Sequence, residues 1–270
     1  LHARPTDGGP EDDARAQRAL LQGNDNVERL TKPNKNCQRM RKGEISASMM
    51  CTDLIDLKET IRIFEEEGVE HLHIDVMDGT FVPNLGLGVD YIRGLRELTN
   101  IPLDIHLMVK DPEYKLQWIG IRPTDTVSVH YESTFQVQRV LDYLEPYGCK
   151  RFLAINPATP VSALEEVLEY IDGINLLMVN PGFAGQKMVP STIRKAQKVA
   201  DLLRREHRED IIIEVDGNIT PENGRTLRKI GASMFVCGTS AIFKGDVNKY
   251  KENIITFRKS IDDDCLTCSC

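Results

Sequence analysis

Eight short apolar runs recur along the chain, each followed by a longer segment with helical spacing. This alternation is typical of βα units, in which the strands pair in parallel and the helices cover the sheet. The predicted strands are residues 44–49, 70–75, 103–108, 126–130, 151–155, 173–179, 211–215 and 233–237. No G-x-G-x-x-G follows the first run, which disfavours an open doubly wound sheet. The pattern predicts a single α/β domain over residues 43–261, a (β/α)₈ TIM barrel with eight parallel strands.

Two helix signals are specific enough to give boundaries. Apolar residues recur every three or four positions in segment 53–67, at Leu54, Leu57, Ile61 and Phe64. This spacing predicts one amphipathic helix over that segment. Further along the chain, Thr220 before Pro221 predicts a helix start with Thr220 as the N-cap.

Composition excludes several classes of protein. The formal net charge is −7, whereas a general nucleic-acid binder needs clustered Lys and Arg to displace counterions. No apolar run approaches the roughly 20 residues that cross a bilayer, and the start has no apolar signal segment. The sequence therefore predicts a cytoplasmic protein with no nucleic-acid or membrane partner.

The two ends of the chain differ in composition from the predicted barrel. Residues 1–42 are polar and lack apolar periodicity, which predicts a disordered leader. The chain has seven cysteines, an odd number, and three stand singly in apolar surroundings, which argues against a disulfide framework: Cys51, Cys149 and Cys237. Residues 262–270 hold the other clustered thiols, Cys265, Cys268 and Cys270. These lack a second Cys/His cluster to complete a zinc site, so we expect a disordered tail.

Ionisable side chains occupy inward positions at the ends of three predicted strands. Because successive strand residues face opposite sides, one parity points inward along each strand. The inward set is His73, Asp75 and Met77, then Asp104, His106 and Met108, then Glu214 and Asp216. Barrels keep their active sites at the carboxyl ends of the strands. We therefore expect His73, Asp75, His106 and Asp216 to meet at one mouth.

Two imidazoles and two carboxylates form a suitable ligand set for one divalent ion, zinc in the first place, with Mn, Fe or Co as alternatives. Hydrogen-bonded His–Asp pairs in a core are the alternative for any single histidine, but the convergence of four groups favours a metal. Strands two and seven lie apart around the ring, so Asp75 and Asp216 would approach a ligand from opposite sides. One could remove a proton and the other deliver one beside a carbonyl, which predicts epimerisation through an enediolate.

Two glycine-containing loops are candidate phosphate sites. Residues 180–186 follow strand six and residues 237–240 follow strand eight. Glycine lets backbone N–H groups approach an anion closely, and the last loops of a barrel commonly bind phosphate. The two loops together predict a phosphorylated small molecule as the ligand.

From about residue 44 to residue 259 the chain resembles the ribulose-phosphate 3-epimerase family. The most specific segments are 73–84, 102–108, 156–160, 180–186 and 214–217. The resemblance implies an isomerase of the pentose phosphate pathway that binds a ketose phosphate and forms a homo-oligomer. It implies that the four mouth residues are metal ligands, with Asp75 as proton acceptor and Asp216 as proton donor. In the reverse direction the two aspartates exchange roles.

The resemblance also implies a set of substrate contacts. These are Ser48, Met77, His106, Met108, Gly182, Phe183, Ala184, Gly185, Gly217, Asn218, Gly238, Thr239 and Ser240. Met77 and Met108 would shield the intermediate from water, or they would serve as ordinary core packing.

Several positions depart from the common pattern of that family. Ala47, Leu177 and Asn218 stand where Pro, Met and Gly are usual, and residues 48–51 and 183–185 also differ. These choices are similar to those of enzymes that convert allulose 6-phosphate to fructose 6-phosphate. The first hypothesis is interconversion of D-ribulose 5-phosphate and D-xylulose 5-phosphate, with D-allulose 6-phosphate as the alternative substrate. A barrel lyase would ordinarily need an inward lysine, which strands two, three and seven lack. A catalytically inactive barrel would not need all four ligand-type residues.

Overall fold

Eight parallel strands close into a barrel in the order in which they occur along the chain. The computed structural model describes residues 41–55 and 57–262. The strands are β1 (Glu44–Ser48), β2 (His71–Met77), β3 (Leu103–Met108), β4 (Thr126–His130), β5 (Lys150–Ile155), β6 (Gly173–Leu177), β7 (Ile212–Asp216) and β8 (Met234–Cys237). Each strand pairs with the next, and β8 pairs with β1 to close the ring. The predicted (β/α)₈ barrel is confirmed, and every strand ends within two residues of its predicted bounds.

Helices connect the strands on the outside of the ring. They are α1 (Lys58–Glu66), α2 (Val89–Leu98), α3 (Leu116–Ile119), α4 (Val137–Leu144), α5 (Thr192–Arg205), α6 (Pro221–Ile230) and α7 (Tyr250–Asp262). A 3₁₀ segment, Val161–Tyr170, takes the place of an α-helix between β5 and β6. Shorter 3₁₀ turns lie at Met49–Cys51, Pro112–Tyr114, Tyr131–Ser133, Glu145–Tyr147 and Val247–Lys249.

The first helix begins later than its apolar spacing predicts. We expected a helix from residue 53, but α1 begins at Lys58. Asp53 Oδ1 instead accepts the backbone N–H of Ile55 at 2.9 Å, a local hydrogen bond that competes with helix formation. Leu54 is 47% exposed, whereas Ile61 and Phe64 are buried. The prediction of a buried apolar stripe was therefore right for Ile61 and Phe64 and wrong for Leu54.

The predicted start of α6 is confirmed. The Thr220 side chain accepts a hydrogen bond from the backbone N–H of Asn223 at 3.1 Å, and Pro221 stands in the first turn. Thr220 thus satisfies one of the backbone donors that a helix start leaves without an intrahelical partner.

The interior of the barrel changes character from one end of the strands to the other. The larger apolar core lies between strands and helices and includes outward residues such as Ile74 and Ile105. A separate cluster of Phe152, Ile212 and Met234 fills the ring near the amino ends of the strands. Gly173 makes room there, because a Cβ at this position would lie 2.3 Å from the Phe152 ring. The carboxyl ends hold polar side chains instead.

Residues 1–40 and 263–270, which carry the predicted leader and most of the predicted cysteine tail, lie outside the described residues. Arg41 and Lys42 contact the barrel, and Lys42 Nζ lies 3.0 Å from Glu70 Oε1. Within the described part of the chain, Cys51, Cys149 and Cys237 are free thiols. No helix in that part has the length and apolar character that a bilayer crossing requires.

Candidate active site

Four ionisable side chains from β2, β3 and β7 meet at the carboxyl end of the barrel. His73 Nε2 lies 3.3 Å from Asp75 Oδ1 and 3.7 Å from Asp216 Oδ2. His106 Nδ1 lies 3.3 Å and 3.5 Å from the same two oxygens. The register explains this, because Asp75 pairs directly with His106 across β2 and β3. The structure thus brings together the four residues that strand parity predicted would meet.

These distances and atoms fit a bound divalent ion. A tetrahedral ion with ligand bonds of about 2.0–2.2 Å keeps its ligand atoms roughly 3.3–3.5 Å apart. The two ring nitrogens that face the carboxylates, His73 Nε2 and His106 Nδ1, are buried and have no hydrogen-bond partner. A buried polar atom without a partner is costly, and coordination would satisfy both nitrogens. We conclude that His73, Asp75, His106 and Asp216 can hold one divalent cation.

A second group of buried carboxyls lies behind His73. His73 Nδ1 contacts Asp104 Oδ2 at 2.5 Å, and the same carboxylate oxygen accepts a hydrogen bond from Ser46 Oγ at 2.7 Å. Glu214 Oε1 lies 4.0 Å from His73 Nδ1. Burial and the charge of Asp104 raise the pKa of Glu214 well above its usual value. The inward parity predicted for Asp104 and Glu214 agrees with these contacts.

Burial and neighbouring charge act in different directions on the two aspartates at the mouth. Burial would raise the pKa of Asp75, but the positive charge of His73 and the close His106 imidazole hold it below its usual value. Burial raises the pKa of Asp216, and the nearby Asp75 carboxylate adds to the effect. Two carboxyls with unlike protonation preferences are suited to act as a base and an acid.

Most of the predicted substrate contacts line one cavity above these carboxylates. Its walls include Ser48, Met108, Gly182, Phe183, Ala184, Gly185, Gly217, Asn218, Gly238, Thr239 and Ser240. Ser48 Oγ donates to Asp75 Oδ2 at 3.4 Å. Met77 packs behind the wall against Met108 and Val82, and His106 lies fully buried beneath it. The cavity residues that the sequence interpretation did not place here are Val179, Ile219 and Val236.

The loops around the cavity are joined by side-chain hydrogen bonds. Asn218 adopts a left-handed conformation with φ of 55°. Its Nδ2 donates to Ser240 Oγ at 3.0 Å, and its Oδ1 accepts from the backbone N–H of Met188 at 3.3 Å. Asn218 therefore ties together the loops after β6, β7 and β8.

Close backbone approach requires glycine at the start of the loop after β7. Gly217 has φ of 108°, and a Cβ there would lie 2.5 Å from Val179 Cγ2. Across the mouth, Asn84 Nδ2 donates to the carbonyl of Gly182 at 2.7 Å. This bond joins the loop after β2 to the loop after β6.

One buried residue next to the site was missed by the sequence interpretation. His130 ends β4 on the inward parity, and its Nε2 lies 2.8 Å from His106 Nε2. The signal was present, because Thr126, Ser128 and His130 alternate with valines along that strand. Parity had been applied only to strands two, three and seven.

Residues 44–243 match the model of the ribulose-phosphate 3 epimerase family. Ribulose-phosphate 3-epimerase from Bacillus subtilis is 33% identical over 206 residues, which cover 76% of this chain and 95% of that protein. The chloroplastic ribulose-5-phosphate-3-epimerase of Arabidopsis thaliana is 36% identical over 218 residues, covering 79% of this chain and 77% of that protein.

Solved structures with low sequence identity share the fold. The 3-keto-L-gulonate-6-phosphate decarboxylase of Vibrio cholerae superposes with a TM-score of 0.60 at 14% identity. The superposition covers 82% of this chain and 98% of that one. At this identity the similarity supports the barrel architecture alone.

Proposed function

The chain belongs to the ribulose-phosphate 3-epimerase family, and on this premise we propose that it interconverts D-ribulose 5-phosphate and D-xylulose 5-phosphate. It is an isomerase of the epimerase type, as its relatives are. The observation that supports the proposed reaction is the pair Asp75 and Asp216, which contact the same two imidazoles. Inversion at one carbon needs an acid and a base on opposite sides of it.

The two aspartates would perform the proton transfers. Asp75, whose pKa is held low, accepts the proton from C3 of the ketose on one face. Asp216, whose pKa is raised, delivers a proton to the other face. In the reverse direction each takes the other's role. A divalent ion held by His73, Asp75, His106 and Asp216 would supply stabilisation of the negative charge that develops beside the carbonyl.

The remaining cavity residues would bind and enclose the sugar phosphate. Backbone N–H groups of the loops after β6, β7 and β8 can bind the phosphate, because glycine there permits close approach. Ser48 lies beside Asp75 and would hold the reacting end of the sugar. Met108 lines the cavity with Met77 behind it, and the two would exclude water from the enediolate.

D-allulose 6-phosphate is the alternative substrate, because several cavity walls carry residues that depart from the common family pattern. Cys51, Ala184 and Asn218 all line the cavity, and these are positions where the sequence departs from the common family pattern. Measuring kcat/KM for both ketose phosphates decides between them. We expect the pentulose phosphate to be preferred, and a preference of tenfold or more for the hexulose phosphate overturns that choice.

Isotope exchange tests the reaction itself. In D₂O, turnover through an enediolate places solvent deuterium at C3 of the product, which NMR detects directly. The Asp90→Asn variant is a suitable control, because that side chain is 95% exposed on α2. Enzyme that shows neither deuterium uptake nor epimerisation with its divalent ion bound would contradict the proposal. A lyase acting through a Schiff base is disfavoured, since no lysine is among the residues that line this cavity.

Several further properties stay predictions from the sequence. We expect zinc as the ion, with manganese, iron or cobalt as alternatives, and elemental analysis of purified protein identifies it. We also expect a homo-oligomer in the cytoplasm that binds neither nucleic acid nor membranes.

A further inference from the structure

The two ring nitrogens of His106 face different groups in the buried interior. Nδ1 faces the carboxylates of Asp75 and Asp216, as described above. Nε2 points away from them and lies 2.8 Å from His130 Nε2. Both imidazoles are 0% exposed, so water does not compete for these contacts.

The contact continues from His130 to a carboxylate. His130 Nδ1 lies 3.2 Å from Glu132 Oε2. The other oxygen of Glu132 is anchored to the loop after β5, where it accepts from the Asn156 backbone N–H at 2.9 Å and from Thr159 Oγ1. Glu132 is therefore held in place from two directions.

Only one placement of protons satisfies this chain of contacts when an ion is bound. Coordination needs the lone pair of His106 Nδ1, so the proton of neutral His106 must be on Nε2. The two Nε2 atoms share one hydrogen bond, so His130 Nε2 must accept it. The proton of His130 is then on Nδ1, from which it is donated to Glu132.

Ring packing holds His130 in this orientation. The His106 and His130 rings meet edge to edge at 26° to each other with centroids 4.9 Å apart, and the Phe81 ring, from the segment after β2, lies 4.7 Å from the His130 ring. A rotated His130 would lose either the His106 or the Glu132 contact.

The other histidine at the mouth is supported more simply. His73 presents Nε2 to the mouth, and its Nδ1 contacts the Asp104 carboxylate directly at 2.5 Å. His73 therefore contacts its supporting carboxylate directly, whereas His106 is linked to the Glu132 carboxylate through the His130 imidazole. Such outer partners fix the tautomer and orientation of histidine ligands.

We propose that His130, held by Glu132, is a positioning residue that keeps His106 in the tautomer that presents Nδ1 to a divalent ion. This inference rests on the metal site of the proposed function. The His130 side chain itself touches neither the ion nor the substrate in this role. Removal of the two ring nitrogens of His130 should therefore weaken ion binding although all four proposed metal ligands remain.

Zinc affinity of the full chain tests the role of His130. We expect His130→Phe, which keeps a ring but removes both nitrogens, to weaken Zn²⁺ binding about 10- to 100-fold in competition with a chromophoric chelator. His130→Gln should lose less, because its amide oxygen can accept from His106 Nε2. The control is His71→Phe, which removes an imidazole paired with Glu44 at the other end of β2 and should leave the zinc affinity unchanged.

Thermal unfolding in the presence of a chelator separates positioning from general stability. If His130→Phe binds zinc as tightly as the wild type, the positioning role is wrong while the proposed function stands. If its affinity falls only in proportion to a loss of apoprotein stability that His71→Phe shares, the role is also wrong. Failure of the wild type to bind zinc would contradict the metal site and this inference together.

The tautomers can be observed directly in the wild type, which removes any dependence on variants that fold. In zinc-loaded protein, long-range ¹H–¹⁵N correlation spectra distinguish a protonated from an unprotonated ring nitrogen. We expect His106 protonated at Nε2 and His130 protonated at Nδ1. A His130 protonated at Nε2 would overturn the inference.

Discussion

Asp75 and Asp216 contact the same two imidazoles, yet their surroundings give them different protonation preferences. His73 and His106 lower the pKa of Asp75, whereas burial and the charge of Asp75 raise that of Asp216. The two carboxyls therefore differ in how readily each holds a proton. The amide of asparagine has nearly the same shape as the carboxyl of aspartate but cannot exchange a proton in this way.

Asp75→Asn and Asp216→Asn should each lower kcat by about 10²–10⁴-fold, the usual contribution of a positioned acid or base. Steady-state kinetics on the ketose phosphate measure the effect, and circular dichroism checks that the barrel persists. The matched change Asp90→Asn on the exposed face of α2 should leave kcat unchanged. Near-normal turnover in either of the first two variants would contradict the two-carboxylate mechanism.

Gly217→Ala tests the close packing between the loops after β6 and β7. Its φ of 108° disfavours any side chain, and a Cβ would also lie 2.5 Å from Val179 Cγ2. Gly231→Ala is the control for strain alone, because its φ is 127° and nothing lies within 4 Å of the added carbon. We expect strain to lower the free energy of unfolding by about 1–3 kcal/mol in both. Urea unfolding should show a larger loss for Gly217→Ala, and an equal loss would mean that Val179 moves aside.

Strand parity allowed the four ligand-type residues to be predicted from the sequence, because side chains alternate strictly along a strand. His73 and Asp75, two positions apart, had to share a face once β2 was recognised. The pair His130 and Glu132, which supports His106, was not predicted in the same way. Glu132 lies beyond the end of β4 in a 3₁₀ turn, and its contact with His130 depends on the course of that turn.

Local competition between hydrogen bonds decides where the helices begin. Thr220 was a reliable signal because an N-cap acts within three residues of the chain, at Asn223. The start of α1 was not predicted, since Asp53 binds the backbone of Ile55 and leaves Leu54 exposed. The spacing of apolar residues predicts which face of a helix is buried, but it does not predict the residue at which the helix begins.

Thr220→Ala should lower the free energy of unfolding by about 1 kcal/mol, because α6 loses the acceptor for the Asn223 N–H. Urea unfolding at neutral pH measures the change. Thr226→Ala on the same helix is the control. Its hydroxyl bonds only to the carbonyl of Glu222 four residues earlier, so alanine there should be neutral or slightly stabilising. Equal losses in both variants would argue against capping as the cause.

Closure of the whole barrel depends partly on one carboxylate between its first and last elements. Glu70, just before β2, accepts the backbone N–H of Ile45 in β1 at 3.0 Å. It also binds Arg258 of α7, with contacts of 2.8 Å and 3.1 Å. Glu70 and Arg258 side chains are only 20% and 19% exposed. Glu70 thus joins the first strand to the last helix of the barrel.

Glu70→Gln should lower the free energy of unfolding by about 1.5–3 kcal/mol at neutral pH, the range for hydrogen bonds to charged groups. Burial opposes ionisation of Glu70, but Arg258 and the other donors hold its pKa below the usual 4.5. For a carboxyl with a lowered folded pKa, the stabilisation is complete above pH 4.5 and is lost as the pH falls through the folded value.

Urea unfolding between about pH 3 and pH 7 should therefore show wild type and Glu70→Gln converging at the acid end. The matched change Glu59→Gln, in an exposed ion pair with Arg62 on α1, should have no measurable effect across this range. A difference between wild type and Glu70→Gln that stays constant with pH would contradict an ionic role for Glu70.

Phe152, Ile212 and Met234 fill the ring at the opposite end from the cavity, so this part of the core does not depend on the residues that line the cavity. The protein is for this reason a good starting point for directed evolution. Libraries randomised at wall positions such as Cys51, Ala184 and Asn218 would sample new sugar-phosphate lengths while most clones still fold. Selection could then favour a longer or shorter substrate without a prior round of stabilisation.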